Sequence, residues 1–388
     1  MKSIVIVTRR LIVGGIEKAL LSMLEVIPKD KFKITLLLMG AEGELVKDIP
    51  THVEVKFIFG EEKTTQKIWR GLKKGKFKEI SSLIKYRFMV KEFKTIYERE
   101  YYESQMLPIL ETEYDIAIAY HTPASFPVVY VMKNIRASVK VAWIHSDVSQ
   151  YEKELQPYKD LYVNYDRIFC VSEYAKKEFL KMFPGLKTKT NVFYNIINKN
   201  NLILLSVKEK GFTDEFDGIR ILTIGRLSAQ KGQDLIPKIL SDLISNGLNV
   251  KWYCIGEGDG RKQIENAIKK HGVADHMILL GTLTNPYPFL AQCDLYVQPS
   301  RHEGYCITLA EARAFNKPIV TTDFVGAREQ ITHLQTGLIT NFDSDKIFSS
   351  VLKVLNDKEL ATRLQDNLSK KEFVGGHSEI NKLYKCID

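Results

Sequence analysis

Two carboxylates, Glu303 and Glu311, carry the strongest chemical signal in the chain, in the run Glu303-Gly304-Tyr305-Cys306-Ile307-Thr308-Leu309-Ala310-Glu311. The run follows a strand-like stretch, Leu295–Gln298, through Pro299-Ser300-Arg301. A helix starting near Tyr305–Ile307 is therefore expected to aim its free amides and positive dipole end at the strand terminus, a ready anion site. Eight residues of helix rise span ~12 Å, near the separation of sugar and ribose in a nucleotide-sugar. One carboxylate then holds sugar hydroxyls and the other ribose hydroxyls, with the diphosphate at the helix end between them. Glutamates at this spacing recur by chance on charged helices; the strand–loop–helix junction gives the pair its meaning.

A second element, Gly225-Arg226-Leu227-Ser228-Ala229-Gln230-Lys231-Gly232, follows the strand-like Ile219–Gly225. Arg226 offers a planar fork and Lys231 a point charge, and both suit a diphosphate whose negative charge grows as it leaves. Alone they read as a surface cation and a helix-start lysine; beside the glutamates they complete a nucleotide-sugar site. A third element, Gly14-Gly15-Ile16-Glu17, lets backbone approach a phosphate or an acceptor group ahead of a helix N-terminus. Neither the dinucleotide fingerprint nor the phosphate-loop motif occurs, and Gly256-Glu257-Gly258-Asp259-Gly260 reads as a turn. His145, in Trp143-Ile144-His145-Ser146-Asp147, stands where a strand runs out, a position more often structural than catalytic. Asp343-Ser344-Asp345 reads as the cap of a helix beginning near Lys346, not as a metal site. His271 and His276 do not share a helix face and do not read as ligands. No metal is expected.

The elements that position these groups alternate. In the first half, strands are expected at Ile4–Thr8, Lys33–Met39, Val53–Phe59, Asp115–Tyr120, Val139–His145, Ile168–Val171 and Asn191–Tyr194, with a helix from about Ile16. In the second half they are expected at Ile219–Gly225, Val250–Gly256, Met277–Gly281, Leu295–Gln298 and Pro318–Thr321. Short apolar, β-branched runs alternating with helices indicate parallel sheets covered on both faces. The fold class is thus α/β, two doubly wound Rossmann-like domains facing a cleft, with ligands beyond the carboxyl ends of the strands. Asn198–Asn201 and Lys208–Gly218 are polar and are expected to form a linker. That division gives a first domain over 1–198, a second over 218–371 and a C-terminal segment over 372–388.

Composition narrows the class. With 388 residues, 45% of them hydrophobic and 27% charged, the chain has material for two cores. No apolar run reaches the ~18–20 residues of a membrane span, and Thr8-Arg9-Arg10 interrupts the first apolar stretch, against a secretory signal. Five cysteines, at 170, 254, 293, 306 and 386, include no C-x-x-C pair and suit reduced thiols of a cytosolic protein. The net charge of +9 is localised: residues 63–99 hold twelve Lys/Arg against three Glu, a surplus equal to that of the whole chain. Trp69, Phe77, Phe88 and Phe93 are interleaved there, the pattern of an amphipathic segment lying on an anionic bilayer. A solvated face is the plainer alternative. Nucleic acid is not the expected partner, because no zinc-finger, RNP or helix-turn-helix pattern accompanies the charge.

In combination and order, G-G-I-E at 14–17, H-S-D at 145–147, V-S-E at 171–173, G-R-L-S-A-Q-K-G at 225–232, P-S-R-H-E-G at 299–304 and the glutamate at 311 carry a family resemblance. Over nearly its full length the chain resembles the GT-B-fold retaining glycosyltransferases of family 4, glycosyl transferases group 1. That resemblance implies that Arg226 and Lys231 bind the departing diphosphate, Glu303 the donor sugar and Glu311 the ribose. It implies that His145 contacts the sugar, that Gly15 approaches the phosphates, and that the amides of Tyr305, Cys306 and Ile307 sit beside sugar and phosphate. Leu283 falls where the family holds the base through its backbone, and the C-terminal segment is where the family crosses back to the first domain. Cys306 stands where several relatives have Gly or Pro, so sugar selectivity does not carry over. The implied activity is metal-independent, retaining transfer from a nucleotide-sugar, UDP-linked, to a saccharide acceptor. A lipid-linked glycan of surface polysaccharide or glycoprotein synthesis, at the cytosolic membrane face, would suit the basic segment. The alternatives are a catalytically silent membrane-associated partner subunit and a GT-B-fold nucleotide-sugar epimerase.

Overall fold

The computed structural model describes residues 1–41, 43–59, 89–90, 92–371 and 376–386. Two compact units divide them: Met1–Tyr194 with Glu379–Asp388, and Asn195–Ser378. The first holds β1 (Lys2–Thr8), β2 (Phe32–Leu38), β3 (Glu54–Phe57), β4 (Glu113–Ala119), β5 (Arg136–Ile144), β6 (Arg167–Cys170) and β7 (Thr190–Val192). The second holds β8 (Ile219–Ile224), β9 (Val250–Ile255), β10 (Met277–Gly281), β11 (Leu295–Gln298), β12 (Ile319–Thr322) and β13 (Leu338–Thr340). All pairings between these strands are parallel, in the orders β3-β2-β1-β4-β5-β6-β7 and β10-β9-β8-β11-β12-β13.

Parallel pairing demands crossover helices on both faces, so central strands must be apolar throughout. Ile4, Val5, Ile6 and Val7 are all 0% exposed. Val5 and Val7 pack with Ala117, Ala119 and the helix Phe126–Asn134, while Ile4 and Ile6 point to the opposite face. Strand β13, only three residues long, escapes a search for longer apolar runs.

Of the two stretches expected to form a linker, Lys208–Gly218 carries no helix or strand, but Asn198–Asn201 is structured. The Asn198 side chain accepts from the Asn201 N–H at 3.2 Å and caps the helix Lys199–Ser206. Leu202 of that helix is buried among Tyr287, Leu290 and Leu309 of the second unit. The asparagines that suggested a linker are thus a helix cap, and the first unit's main segment ends at Tyr194 rather than near 198. Asp343 likewise caps the helix Ser344–Asn356, accepting from the N–H groups of Asp345 and Lys346, each at 3.0 Å. Of the basic segment 63–99, residues 63–88 and 91 lie outside the described residues; its end leads into the helix Ile96–Gln105, started by a Thr95/Glu98 capping box.

From Glu379 the chain packs with the first unit. Glu379, 3% exposed, accepts from the Tyr194 N–H at 2.8 Å and from Lys382 Nζ at 2.7 Å, while Lys382 also donates to the Val192 carbonyl at 2.7 Å. The Tyr384 ring stacks on Phe32 with centroids 5.2 Å apart. Glu379→Ala removes the acceptor that the Tyr194 N–H and Lys382 share, and is expected to cost about 1–3 kcal/mol of stability in urea unfolding.

Candidate functional site

Strands β8 and β11 are neighbours, yet the chain leaves β8 for β9 on one side and β11 for β12 on the other. Their carboxyl-terminal loops diverge, and a crevice opens between them at this switch in strand order. The loop after β8 carries Arg226 and Lys231; the loop after β11 carries Glu303.

Below the crevice the loops are fastened together. Arg301 donates its N–H to the Gln230 carbonyl at 2.8 Å, and Gln230 Nε2 donates to the His302 carbonyl at 3.0 Å. The Arg301 guanidinium grips Asp234 through two bonds of 2.8 Å and stacks over Phe342 at 4.2 Å. Gln233 Nε2 ties the Gly225 and Arg226 carbonyls at 3.1 and 3.0 Å. Gly232 makes the approach sterically feasible: its φ is +74°, and a Cβ there would lie 1.8 Å from the Pro299 carbonyl oxygen. The glycines at 256, 258 and 260 serve the neighbouring turn similarly, and a Cβ on Gly258 would meet the Leu227 oxygen at 2.2 Å. That run is a turn against the Arg226 loop, as its sequence indicates.

The outcome is an ion pair between residues 72 apart in sequence: Lys231 Nζ lies 2.6 Å from Glu303 Oε1. Ser300 Oγ donates to the same oxygen at 2.8 Å. Burial pushes the Lys231 pKa down, but Glu303 and Cys306 together outweigh burial and hold it above the ordinary lysine value, so the ammonium stays charged. Arg226 is exposed, its side chain makes no hydrogen bond or ion pair among the described residues, and it is near enough for its charge to oppose that of Lys231. Two cations and one carboxylate leave an excess of positive charge, suited to an anion.

The helix Ile307–Ala314 starts beside this pair. Its N-cap, Cys306, has φ 62° and ψ 83°, a left-handed conformation that costs a residue with a Cβ about 1–3 kcal/mol. Gln330 supports the bend: its side-chain amide donates to the Tyr305 carbonyl and, at 3.3 Å, to that of Cys306. The first amides of an α-helix have no carbonyl of a preceding turn to bond. The Cys306 thiol is pushed up to about 12 by burial and by Glu303, so it is no nucleophile at neutral pH.

Glu311 requires a correction. It is the fifth residue of the helix rather than two turns in, because residues 303–306 are not helical, so an eight-residue helical rise does not separate the glutamates. The left-handed Cys306 is the N-cap, so the helix begins at Ile307, the last position of the expected start. Glu311 is 1% exposed and accepts from the Tyr287 hydroxyl at 2.8 Å. Leu283, half-buried after β10, packs against the same apolar cluster, which includes Tyr287, Cys306 and Leu309.

Eight of the ten residues singled out from sequence therefore belong to the second unit; Gly15 and His145 belong to the first. Gly15 opens the helix Gly15–Val26, whose N-cap is Gly14, with the end of the Glu17 side chain close beside it. His145, just after β5, is 8% exposed and lies edge-on to Tyr120 at 4.3 Å. Its Nε2 and the Ser146 hydroxyl have no partner among the described residues. Burial, with His121 adding to it, holds the His145 pKa well below its usual value; burial and Arg9 bring His121 down to about 3. Both imidazoles are neutral at physiological pH.

Sequence reasoning missed Tyr287, Gln330 and Asp234 as supports of the site. Tyr287 and Gln330 carry no spacing signal, since each acts across the fold. Among the described residues no group of three or more His, Cys, Asp or Glu is placed to hold a metal ion, and no helix is long and apolar enough to cross a membrane.

Residues 209–371 match the family model described as glycosyl transferases group 1. An uncharacterized glycosyltransferase of Methanocaldococcus jannaschii is 29% identical over 238 residues, 57% of this chain and 59% of that protein. The N-acetylgalactosamine-N,N'-diacetylbacillosaminyl-diphospho-undecaprenol 4-alpha-N-acetylgalactosaminyltransferase of Campylobacter jejuni is 27% identical over 202 residues, 52% of this chain and 53% of that protein. The chain thus spans a little over half the length of these curated relatives. The crystal structure of Anabaena HepE in complex with UDP and glucose matches with a TM-score of 0.73 at 16% identity, over 99% of both chains. At that identity the likeness shows the fold, which is GT-B.

Gly232→Ala is expected to lower stability by about 1–3 kcal/mol through backbone strain and to loosen the Lys231–Glu303 pair, seen as a lower midpoint in denaturant. Histidine linkage gives a second expectation. The unfolded chain takes up protons near pH 6.5 that folded His121 and His145 refuse, so the first unit loses stability as pH falls below that value. The loss approaches about 1.4 kcal/mol per pH unit per histidine, and urea titrations of His145→Gln between pH 7 and 5 should show a shallower slope.

Proposed function

We propose that this chain, whose second unit carries a glycosyl transferases group 1 domain on a GT-B fold, moves a sugar from a nucleotide-sugar to a saccharide hydroxyl with retention of configuration. The observation that carries this reading is the Lys231–Glu303 pair beside the N-terminus of the helix Ile307–Ala314, at the switch in strand order. A cation and helix amides suit a diphosphate; a carboxylate within hydrogen-bond reach of that cation suits the hydroxyls of the sugar it carries.

In this account Arg226, Lys231 and the amides of Tyr305, Cys306 and Ile307 hold the diphosphate. Charge builds on its terminal oxygen as the bond to the sugar breaks, so these groups bind the transition state more strongly than the ground state. Glu303 holds the sugar and Glu311 the ribose, while the backbone at Leu283 meets the base. The acceptor hydroxyl attacks from the leaving-group side, and its proton passes to the departing phosphate oxygen, so no enzyme nucleophile is needed. His145, neutral and with Nε2 buried, is suited to a sugar hydroxyl, and the backbone at Gly15 to a phosphate.

The donor is proposed to be UDP-linked, supported by the UDP and glucose complex of the structural relative. The acceptor is proposed to be a lipid-linked glycan at the cytosolic membrane face, with residues 63–99 on the bilayer. The diphospho-undecaprenol substrate named for the Campylobacter relative and the basic surplus of that segment support this assignment.

Calorimetric titration with UDP, GDP and ADP, first in EDTA and then with Mg²⁺, tests the reading. UDP is expected to bind selectively without metal and to lose at least tenfold in affinity in Lys231→Ala. Binding of no nucleotide by the wild type would contradict the enzyme reading and favour a silent partner subunit. In turnover, Lys231→Ala is expected to reduce kcat by about 10²–10³-fold, the scale of losing one transition-state donor, with acceptor KM little changed. UDP release from the donor that does not require an acceptor, with the sugar epimerised, would instead indicate an epimerase.

A further inference from the structure

Strand β11 and its extension bury a row of polar side chains. Tyr296, Gln298 and Ser300 fall two residues apart and so share one face of the strand and its extension; all three are 0% exposed. They form a continuous chain. The Tyr296 hydroxyl donates to Gln298 Oε1 at 2.5 Å, and Thr308 Oγ1, from the first turn of the helix Ile307–Ala314, donates to the same oxygen at 3.2 Å. Gln298 Nε2 donates to Ser300 Oγ at 2.8 Å, and Ser300 Oγ donates to Glu303 Oε1 at 2.8 Å.

The direction of this chain is fixed by chemistry. An amide accepts at its oxygen and donates at its nitrogen, so Gln298 passes polarisation one way only. Ser300 has one hydroxyl hydrogen; with Gln298 donating to its oxygen, that hydrogen goes to the carboxylate. Burial holds the Tyr296 phenol protonated, so the head of the chain remains a donor. Successive bonds aligned head to tail strengthen one another in a low dielectric. Ser300 and Lys231 both converge on Oε1, and among the described residues no hydrogen bond reaches Oε2.

We infer that Tyr296, Gln298 and Ser300 form a one-way hydrogen-bond relay that holds Glu303 by Oε1 and leaves Oε2 as the oxygen that accepts a hydroxyl of the donor sugar. The inference rests on the donor-site reading above and adds positioning residues to it. Stability alone is a poor reason for these groups, since a buried polar chain replaced by apolar groups of similar shape is often neutral or stabilising. The relay also ties the strand to the helix start through Thr308, so the sugar carboxylate and the anion-binding amides are set by one network.

The test uses the full chain as wild type, Tyr296→Phe, Gln298→Leu and the double variant, with UDP affinity by calorimetry and kcat for UDP release from UDP-glucose and UDP-N-acetylglucosamine. The relay predicts UDP affinity within twofold of wild type throughout. It predicts kcat down about tenfold or more in Gln298→Leu and about threefold in Tyr296→Phe. In the Gln298→Leu background, Tyr296→Phe should add nothing, because its influence passes through Gln298. Equal factors for Tyr296→Phe in both backgrounds, or unchanged kcat in a folded Gln298→Leu, would overturn the relay. A parallel loss of UDP affinity would also overturn it, showing general disruption. If Gln298→Leu does not fold, Thr308→Val and Tyr296→Phe, each removing one donor to Gln298, must still lower kcat without weakening UDP. A wild type that binds UDP, with turnover collapsing in Lys231→Ala but not in the relay variants, sinks the relay alone; a wild type that binds neither UDP nor either sugar nucleotide sinks the donor-site reading and the relay with it.

Discussion

A lysine and a glutamate that are both largely buried must find each other, and much of the second unit is arranged around that requirement. An unpaired charge in such a position costs several kcal/mol, whereas a paired and hydrogen-bonded one is tolerable. Lys231 and Glu303 belong to different loops, so their 2.6 Å contact depends on the backbone beneath them. The parallel strands β8 and β11 bring the loops side by side, the Arg301–Asp234 fork and Gln233 fasten them, and Gly232 removes the atom that would keep them apart. Each support is a modest interaction; the combination fixes where a positive excess and a hydrogen-bond acceptor meet.

The same constraint reaches the helix Ile307–Ala314. Its N-cap is the left-handed Cys306, a conformation that Gln330 braces. The polar row along β11 runs from the interior to the carboxylate and touches the first turn of the helix through Thr308. The helix-start amides, the cation and the carboxylate are therefore parts of one connected substructure, as the proposed stabilisation of developing charge requires. The first unit contributes separately, with neutral histidines and unpartnered buried polar atoms at the carboxyl ends of its strands.

Much of this architecture was legible in the residues. Parallel sheets leave near-continuous apolar runs, so twelve of the thirteen strands could be located; β13, three residues long, carries too little pattern. Arg226, Lys231 and Glu303 were legible because strand–loop–helix junctions announce themselves through Gly, Pro and Ser, and because those loops must meet at a switch in strand order. The helix start near Ile307 was legible too, but the left-handed conformation of Cys306 was not, since it contradicts the local preference of a residue with a Cβ and is braced by a tertiary bond from Gln330. Asn198–Asn201 reads equally as linker or cap, and only the burial of Leu202 decides between them. Tyr287, Tyr296 and Gln298 were invisible for a related reason: a buried tyrosine or glutamine looks like core until its partner is known.

Crystals of the chain grown with UDP would test the central claim most directly, because they report where the diphosphate lies. The account predicts phosphate oxygens within hydrogen-bond distance, about 2.7–3.2 Å, of Lys231 Nζ and of the amides entering the helix Ile307–Ala314, with the ribose on Glu311. A diphosphate bound elsewhere, with the Lys231–Glu303 pair turned away from the ligand, would contradict it.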